Sequence, residues 1–395
     1  MLSLKSNHAL SREALGGIWK GLSFPPWSLP IVLLIIAILG FGLFIPWLGF
    51  YWDDWPSIWF LHILGPQGFR EVFASDRLKL PSIMGSSLLI AGLIEFIPKA
   101  LPWLIIIGAL TGLAVGQKLY NANIYRLDWN SQREFFRQLT WRAPGLASGT
   151  VIMSARLPLR YFSDNSLTAP LNWIYGSADS AQDLTYLFYD IQARRGNQPT
   201  DLNTDFSIDF RYRSMLFQGS SDRVLVVSYN PPGCLKLVDP VIDAENPTLP
   251  KPVDRAYHLS DLSLVDSSAG HRDLPQSIFG EEPLPDWCYY FERADLARQN
   301  GYWDQVAGLA DRALALNTTL YPFNAPELIP YVEGYPHTGQ WDKALAVSTQ
   351  AIKTARNVKS MLCQTWLRIE ERTPSSPDRD MSIDVIKNEL KCAGW

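Results

Sequence analysis

The sequence predicts a membrane-anchored α+β protein with about three transmembrane helices, a mixed α/β soluble domain and a C-terminal all-α helical-repeat module. Three observations predict this organisation. Long apolar runs are confined to the first third of the 395-residue chain. β-like segments begin after residue 144, and paired amphipathic helices begin after residue 286. The net charge of -4 argues against a nucleic-acid partner, because such proteins usually carry a strongly basic face.

Changes in composition along the chain set the predicted boundaries. They are a cytoplasmic N-terminal arm (1–28), a transmembrane helix (29–50), an external loop with an acidic pair (51–79), a transmembrane helical hairpin (80–117), an amphipathic juxtamembrane helix (118–143), a sheet-containing soluble domain (144–238), a connecting segment (239–285) and a helical-repeat module (286–395). They predict a multi-pass protein of the cell membrane, with the soluble C-terminal part extracytoplasmic.

The first predicted span is LPIVLLIIAILGFGLFIPWLGF, residues 29–50, which contains no charged residue. About 20 apolar residues cross the hydrocarbon core of a bilayer, so this run is long enough. Trp27 precedes it, and Trp47, Trp52 and Trp55 lie at or beyond its end, as in the aromatic belts of membrane interfaces. A signal-peptide core is shorter, so we predict an uncleaved anchor.

A second apolar zone, residues 80–97 and 101–117, predicts two short helices. Pro98 and Pro102 interrupt it, which favours a helical hairpin over one long kinked helix. Glu95 is either a functional intramembrane acid or a side chain that reaches the interface near the turn. Three spans in total place the residues after 118 on the external side of the membrane and two place them on the cytoplasmic side, and the sequence leaves this open.

Residues 118–142 carry several arginines among apolar side chains such as Phe135, Phe136 and Leu139. This pattern predicts an amphipathic helix. It lies either in the headgroup layer of a lipid bilayer, with its arginines on phosphates, or packs its aromatic face on the following domain.

The middle of the chain predicts a compact sheet domain followed by a weakly structured connection. The domain contains no GxSxG, GxxxxGK[ST], HExxH or GxGxxG pattern. His258 and His271 stand alone in charged loops, where histidines are usually solvated. The predicted strands lie at 149–156, 184–192, 210–218 and 223–230, the last continuing into a hairpin that ends at 238.

All four cysteines lie beyond residue 230, and none has CxxC spacing. They form either two disulfides or four buried thiols, and the sequence leaves both alternatives open. The residues are Cys234, Cys288, Cys363 and Cys392.

Two helix pairs with internal similarity are predicted at 289–317 and 328–355, with Asn300-Gly301 as the first turn. A Gly-x-Trp-Asp pattern around Trp303 returns around Trp341 at a period of 38. The region resembles the tetratricopeptide family of helical repeats. This resemblance implies a surface for a protein partner in the region of the two tryptophans, and a helix at 381–392 is expected to close the stack.

The acidic pair Asp53 and Asp54 directly follows the first predicted span. With this pair, residues 25–80 resemble the first span and external loop of integral-membrane glycosyltransferases that use polyprenyl-phosphate sugars. The resemblance implies that either aspartate is a catalytic base or a metal ligand, and that Asp76 and Arg77 bind the donor phosphate. Those enzymes build their cavity from many more spans than this chain provides.

The predicted function is therefore binding or scaffolding by an integral membrane protein of the bacterial cell envelope, a shortened relative of these enzymes. The alternative is a glycosyltransferase, or a subunit of one. No cofactor is predicted, except a divalent metal if the chain is a glycosyltransferase. The predicted partners are the lipid bilayer, a protein bound by the repeats and a polyprenyl-phosphate lipid.

Overall fold

The computed structural model describes residues 35, 54–67, 100–160, 162–176, 183–195, 206–212, 215–316 and 321–392. The chain divides into two compact units. The first comprises residues 1–49 and 91–126, and the second comprises residues 50–90 and 127–395. The predicted span at 29–50, apart from Ile35, and the half of the predicted hairpin at 80–99 lie outside the described residues.

Within the described ranges, no helix combines the length and the apolar character needed to cross a membrane. This finding contradicts the predicted membrane-anchored fold, the integral-membrane function with its glycosyltransferase alternative, and the multi-pass location at the cell membrane. The apolar run at 101–117 does not form a separate short helix. It is the first part of a 43-residue helix that runs from Ala100 to Arg142 and becomes polar after Gln117.

Helix α1 (Asp54–Leu64) contains Trp55, one of the aromatic residues of the predicted interface belt. Trp55 is fully buried in a protein core, with ring centroids 5.7 Å from Trp129 and 5.8 Å from Phe279. Its indole N–H donates to the side-chain oxygen of Gln132 at 3.1 Å. A buried Trp needs such a partner for its N–H, and here the protein supplies it.

The long helix α2 (Ala100–Arg142) buries its C-terminal part within the second unit. Phe135, Phe136 and Leu139 are fully buried, and the Phe135 ring packs against Phe188 and Tyr229. Of the two alternatives for the amphipathic segment at 118–142, these contacts support packing on the following domain.

The sheet domain contains β1 (Val151–Ser154), α3 (Asp164–Tyr175), β2 (Leu187–Asp190), α4 (Ile191–Arg195), β3 (Ser207–Tyr212), β4 (Met215–Ser220), β5 (Val224–Ser228) and β6 (Lys236–Leu237). A four-stranded sheet has the order β2-β1-β5-β6. β1 and β2 are parallel and are joined through α3. β5 pairs with the other edge of β1 and is also parallel to it. Val151 of β1 lies opposite both Leu187 of β2 and Val224 of β5. β6 pairs antiparallel with β5, which confirms the predicted hairpin ending at 238. The predicted strand at 210–218 is instead parts of two antiparallel strands, β3 and β4.

The segment at 239–285 is more ordered than the prediction of a weakly structured connection. It contains α5 (Lys251–Ala256), α6 (Gln276–Phe279) and several short 3-10 helices. Val253 and Phe279 are fully buried and belong to the core of the sheet domain. Its many Pro, Asp and Ser residues therefore make tight turns that carry a few core side chains.

Both cysteine pairs form disulfides. One joins Cys234 to Cys288, with Cα atoms 5.2 Å apart, and the other joins Cys363 to Cys392, with Cα atoms 5.9 Å apart. The first bridge links the chain next to β6 to the first repeat helix, and the second lies within the repeat module.

The repeat module contains three helix pairs with a continuous core. The sequence did not predict the first helix of the outermost pair. The predicted closing helix at 381–392 is therefore the second helix of a third pair. The bounds are α7 (Trp287–Gln299), α8 (Trp303–Leu314), α9 (Ile329–His337), α10 (Trp341–Thr354), α11 (Lys359–Arg372) and α12 (Pro377–Leu390).

Candidate functional site

The first helices of the three pairs, α7, α9 and α11, contact one another in succession. The turns within the first two pairs are alike: Gly301 and Gly339 have φ of 70° and 75°. Glycine adopts this left-handed conformation without steric cost, so it ends each first helix and lets the second turn back. The first of these turns is the predicted Asn300-Gly301 turn.

A groove of about 290 Å³ lies along these first helices. We call it the repeat groove. It is lined by Asp239, Val241, Ile242, Arg298, Gln299, Gly301, Trp303, Glu333, Arg368 and Arg372. Three arginines against two acids give it a basic character, and Trp303 with Val241 and Ile242 adds apolar surface.

The floor of the groove is a row of alternating charges. Arg298, Glu333 and Arg368 lie on α7, α9 and α11, each 35 residues after the last. Glu333 lies 3.9 Å from the guanidinium of Arg298 and 3.5 Å from that of Arg368. The row therefore connects all three helix pairs through one central carboxylate.

Beneath the groove lies a set of buried ions that we call the buried ion cluster: Arg142, Lys236, Asp243, Asp295 and Arg298. Asp295 is its centre, at 3.1 Å from Arg142, 3.3 Å from Lys236 and 2.9 Å from Arg298. Burial alone would raise the pKa of the Asp295 carboxyl, but the three cations hold it well below its usual range. Asp295 is therefore ionised at neutral pH.

At one wall of the groove, the Trp303 ring stacks on His337 with centroids 3.9 Å apart and planes within 6°. Burial lowers the pKa of His337, so the imidazole is neutral at pH 7. Its Nε2 atom is buried and has no hydrogen-bond partner in the part of the chain that the structure describes. The stack fixes the Trp303 ring as a rigid apolar wall.

A smaller cavity of about 40 Å³ lies at the carboxyl end of β5, next to Asn230, Lys236 and Glu327. Carboxyl ends of strands in parallel sheets are common ligand sites. This cavity holds only a few waters, however, because one water needs about 10–15 Å³. The carboxylate of Glu327 already accepts hydrogen bonds from Cys234 N–H and the Trp287 indole. The repeat groove is the larger candidate.

The predicted site residues fall in different places. Asp53, Asp76 and Arg77 lie outside the described residues, and Asp54 is the first residue of α1. The two tryptophans of the predicted partner surface also differ: Trp303 lines the repeat groove, whereas Trp341 is 8% exposed and packs in the helical core.

Sequence reasoning missed the charged row. The period of 38 relates Trp303 to Trp341 at the start of two second helices, and also Gly301 to Gly339 at the end of two first helices, whereas the three charged residues are 35 apart. The repeat period therefore aligns Arg298 with Pro336 and not with Glu333, and only the packing of the helices brings the three charges into one row.

A scan against protein-family models finds no match, and searches of curated proteins and of solved structures also find none. The resemblance to tetratricopeptide repeats therefore stays a prediction.

Proposed function

We propose that the protein binds an extended peptide segment with acidic side chains in the repeat groove. The observation that carries the proposal is the groove itself, a basic and partly aromatic channel that follows three successive helices. Stacked helical repeats commonly use such surfaces to bind extended partners.

The charge of the groove selects the chemistry of the ligand. Arg298 is committed to Asp295, Asp239 and Glu333, so it has little capacity left for a ligand. Arg372 is exposed on the groove wall and makes no hydrogen bond or ion pair with any described residue. A guanidinium in this situation offers a planar pair of donors that fits a carboxylate.

The shape of the groove favours a chain over a compact molecule. Its volume lies at the lower limit of about 300 Å³ for small-molecule pockets. Its apolar wall is formed by Trp303 and by Val241, whose side chain is 67% exposed. A peptide that alternates acidic and apolar residues would place a carboxylate on Arg372 and an apolar side chain on Trp303.

Fluorescence anisotropy tests the proposal with labelled short peptides in which Leu alternates with Glu, Gln or Lys. We expect the Glu peptide to bind the full chain. Its affinity should fall as salt is added, because salt screens exposed charges. Arg372→Glu and Trp303→Ala should each weaken binding by about tenfold or more. The matched control is Arg312→Glu, since Arg312 is exposed on α8 and does not line the groove.

Two results would contradict the proposal. One is an equal affinity of the wild-type chain for the Glu, Gln and Lys peptides, including no binding to any of them. The other is an equal loss of affinity in Arg372→Glu and Arg312→Glu, which would show that net charge and not the groove determines binding.

A further inference from the structure

Three potential metal ligands meet on the surface of the sheet domain, away from the repeat groove. His271, Asp273 and Glu282 each contribute one ligand atom, and these atoms all lie within 4.8 Å of one another. They belong to the loops on either side of α6, which packs over the C-terminal part of α2 through hydrogen bonds from Arg137 to Phe279 and Glu281 carbonyls.

The distances match the edges of a metal coordination shell. The Nε2 atom of His271 lies 3.2 Å from Oδ1 of Asp273 and 3.1 Å from Oε2 of Glu282. Metal–ligand bonds of about 2.0–2.2 Å place neighbouring ligand atoms roughly 2.8–3.1 Å apart in octahedral geometry and roughly 3.3–3.6 Å apart in tetrahedral geometry. The two distances from Nε2 suit one ion, and the ligand atoms of Asp273 and Glu282 lie within 4.8 Å of each other, so rotation of these exposed side chains can close the third edge.

The His271 ring can supply only a small part of the hydrogen bonds that the two carboxylates can accept. A ring nitrogen carries at most one proton, so Nε2 serves two carboxylate oxygens with a single donor, or with none in the other tautomer. The adjacent guanidinium of Arg272 does not help, because it donates to the carbonyl oxygens of Pro144 and Ile174. A divalent ion would satisfy one lone pair from each of the three side chains.

The surroundings provide two further features of a metal site, a hydrogen bond that orients a ligating carboxylate and space for water. The indole N–H of Trp141 donates to Oε1 of Glu282 at 2.6 Å, which orients the carboxylate and leaves Oε2 towards His271. Such second contacts to ligating side chains tune metal affinity. A cavity of about 80 Å³ borders Asp273 and Glu282, with space for several of the waters that complete a coordination shell.

We propose that His271, Asp273 and Glu282 bind a divalent transition-metal ion of the zinc class. One imidazole with two carboxylates suits Zn²⁺ better than Mg²⁺ or Ca²⁺, which prefer ligand sets made only of oxygen. The bound ion would cross-link the two loops around α6 and so hold this segment on α2.

Equilibrium dialysis of the full, tag-free chain against Zn²⁺ after chelator treatment tests the proposal, with Co²⁺ absorption as a spectroscopic probe of the ligand set. We expect one Zn²⁺ per chain, and little competition from Mg²⁺. His271→Gln and Glu282→Gln should weaken binding by about tenfold or more. His258→Gln is the matched control, because His258 is also an exposed histidine but lies outside the cluster.

All three substitutions are at exposed positions, so each variant should fold, and circular dichroism checks this before the binding measurements. Zinc binding that is lost in His271→Gln and Glu282→Gln and kept in His258→Gln supports the site. The proposal is overturned if the wild-type chain binds zinc no more tightly than the two cluster variants do. It is also overturned if the wild-type chain binds no zinc at all. Equal loss in His258→Gln overturns it as well.

Discussion

Replacing Asp295 with asparagine should lower the free energy of unfolding by about 3–5 kcal/mol, the usual cost of removing one partner from a buried ion pair. The Asp295 carboxylate contacts Arg142, Lys236 and Arg298. In the variant, Lys236 keeps Asp243, and Arg298 keeps its other carboxylates. Arg142 keeps no ion partner among the described residues, so the cost is mainly that of one buried, unpaired cation.

The pH dependence of this loss follows from the direction of the pKa shift. The folded pKa of Asp295 is depressed, so its contribution to stability is fully present above its unfolded pKa of about 3.8 and is lost as pH falls. The difference between wild type and Asp295→Asn should therefore be constant around neutral pH and shrink only in acid.

Urea denaturation followed by circular dichroism measures the difference, with Asp311→Asn as the matched control. Asp311 forms a surface pair with Lys343 at 2.7 Å, and both side chains are about half exposed. Such pairs contribute about 0–1 kcal/mol, and asparagine keeps an acceptor for the Tyr335 hydroxyl. Equal losses in Asp295→Asn and Asp311→Asn would refute the argument that the cluster is a buried, mutually dependent set of charges.

Three further predictions concern stability. Burial raises the pKa of the Glu292 carboxyl well above 4.5. As the pH rises above 4.5, the stability of the wild type relative to Glu292→Gln should therefore fall by up to about 1.4 kcal/mol per pH unit, measured by urea denaturation at a series of pH values. A stability difference that does not change with pH would contradict this. Replacing Cys363 and Cys392 together with serine should cost about 2–4 kcal/mol and lower the melting temperature, because their bridge spans 29 residues. Reduction of the wild type breaks both disulfides and should lower the melting temperature further, and an unchanged melting temperature in the double variant would contradict this. Gly334→Ala should cost about 1–3 kcal/mol by calorimetry, since the added methyl carbon would collide with Val306, and an unchanged melting temperature would contradict this.

Local signals predicted some of the elements after residue 144. The Asn300-Gly301 stop and the hairpin between β5 and β6 are encoded in a few neighbouring residues, so the sequence contains enough information to find them. The membrane prediction rested on composition, which reports that a segment is apolar but not what covers it. Trp55 illustrates the difference, because the same indole fits a bilayer interface and a protein core, and its partners Gln132 and Phe279 are distant in sequence.

The candidate site could not be predicted for the same reason. Arg298, Glu333 and Arg368 look like ordinary charges on three amphipathic helices, and only the packing of these helices brings them into one row. His271 is similar: its neighbour Asp273 is close in sequence, but Glu282 returns to it only because α6 and the turns around it fold back.

Arg298 belongs to both the buried ion cluster and the repeat groove, and so connects stability with binding. Asp295 holds its Nε atom at 2.9 Å, Asp239 lies 3.3 Å from one terminal nitrogen, and Glu333 lies 3.9 Å from the other. Arg298 is therefore a fixed part of the groove floor, and a ligand carboxylate has to be bound by Arg372 at the wall. A floor that is already ordered reduces the entropy lost on binding. Asp295→Asn should consequently weaken binding of the acidic peptide, although Asp295 does not line the groove. Unchanged affinity in a folded variant would contradict the argument that the buried ion cluster supports binding in the groove.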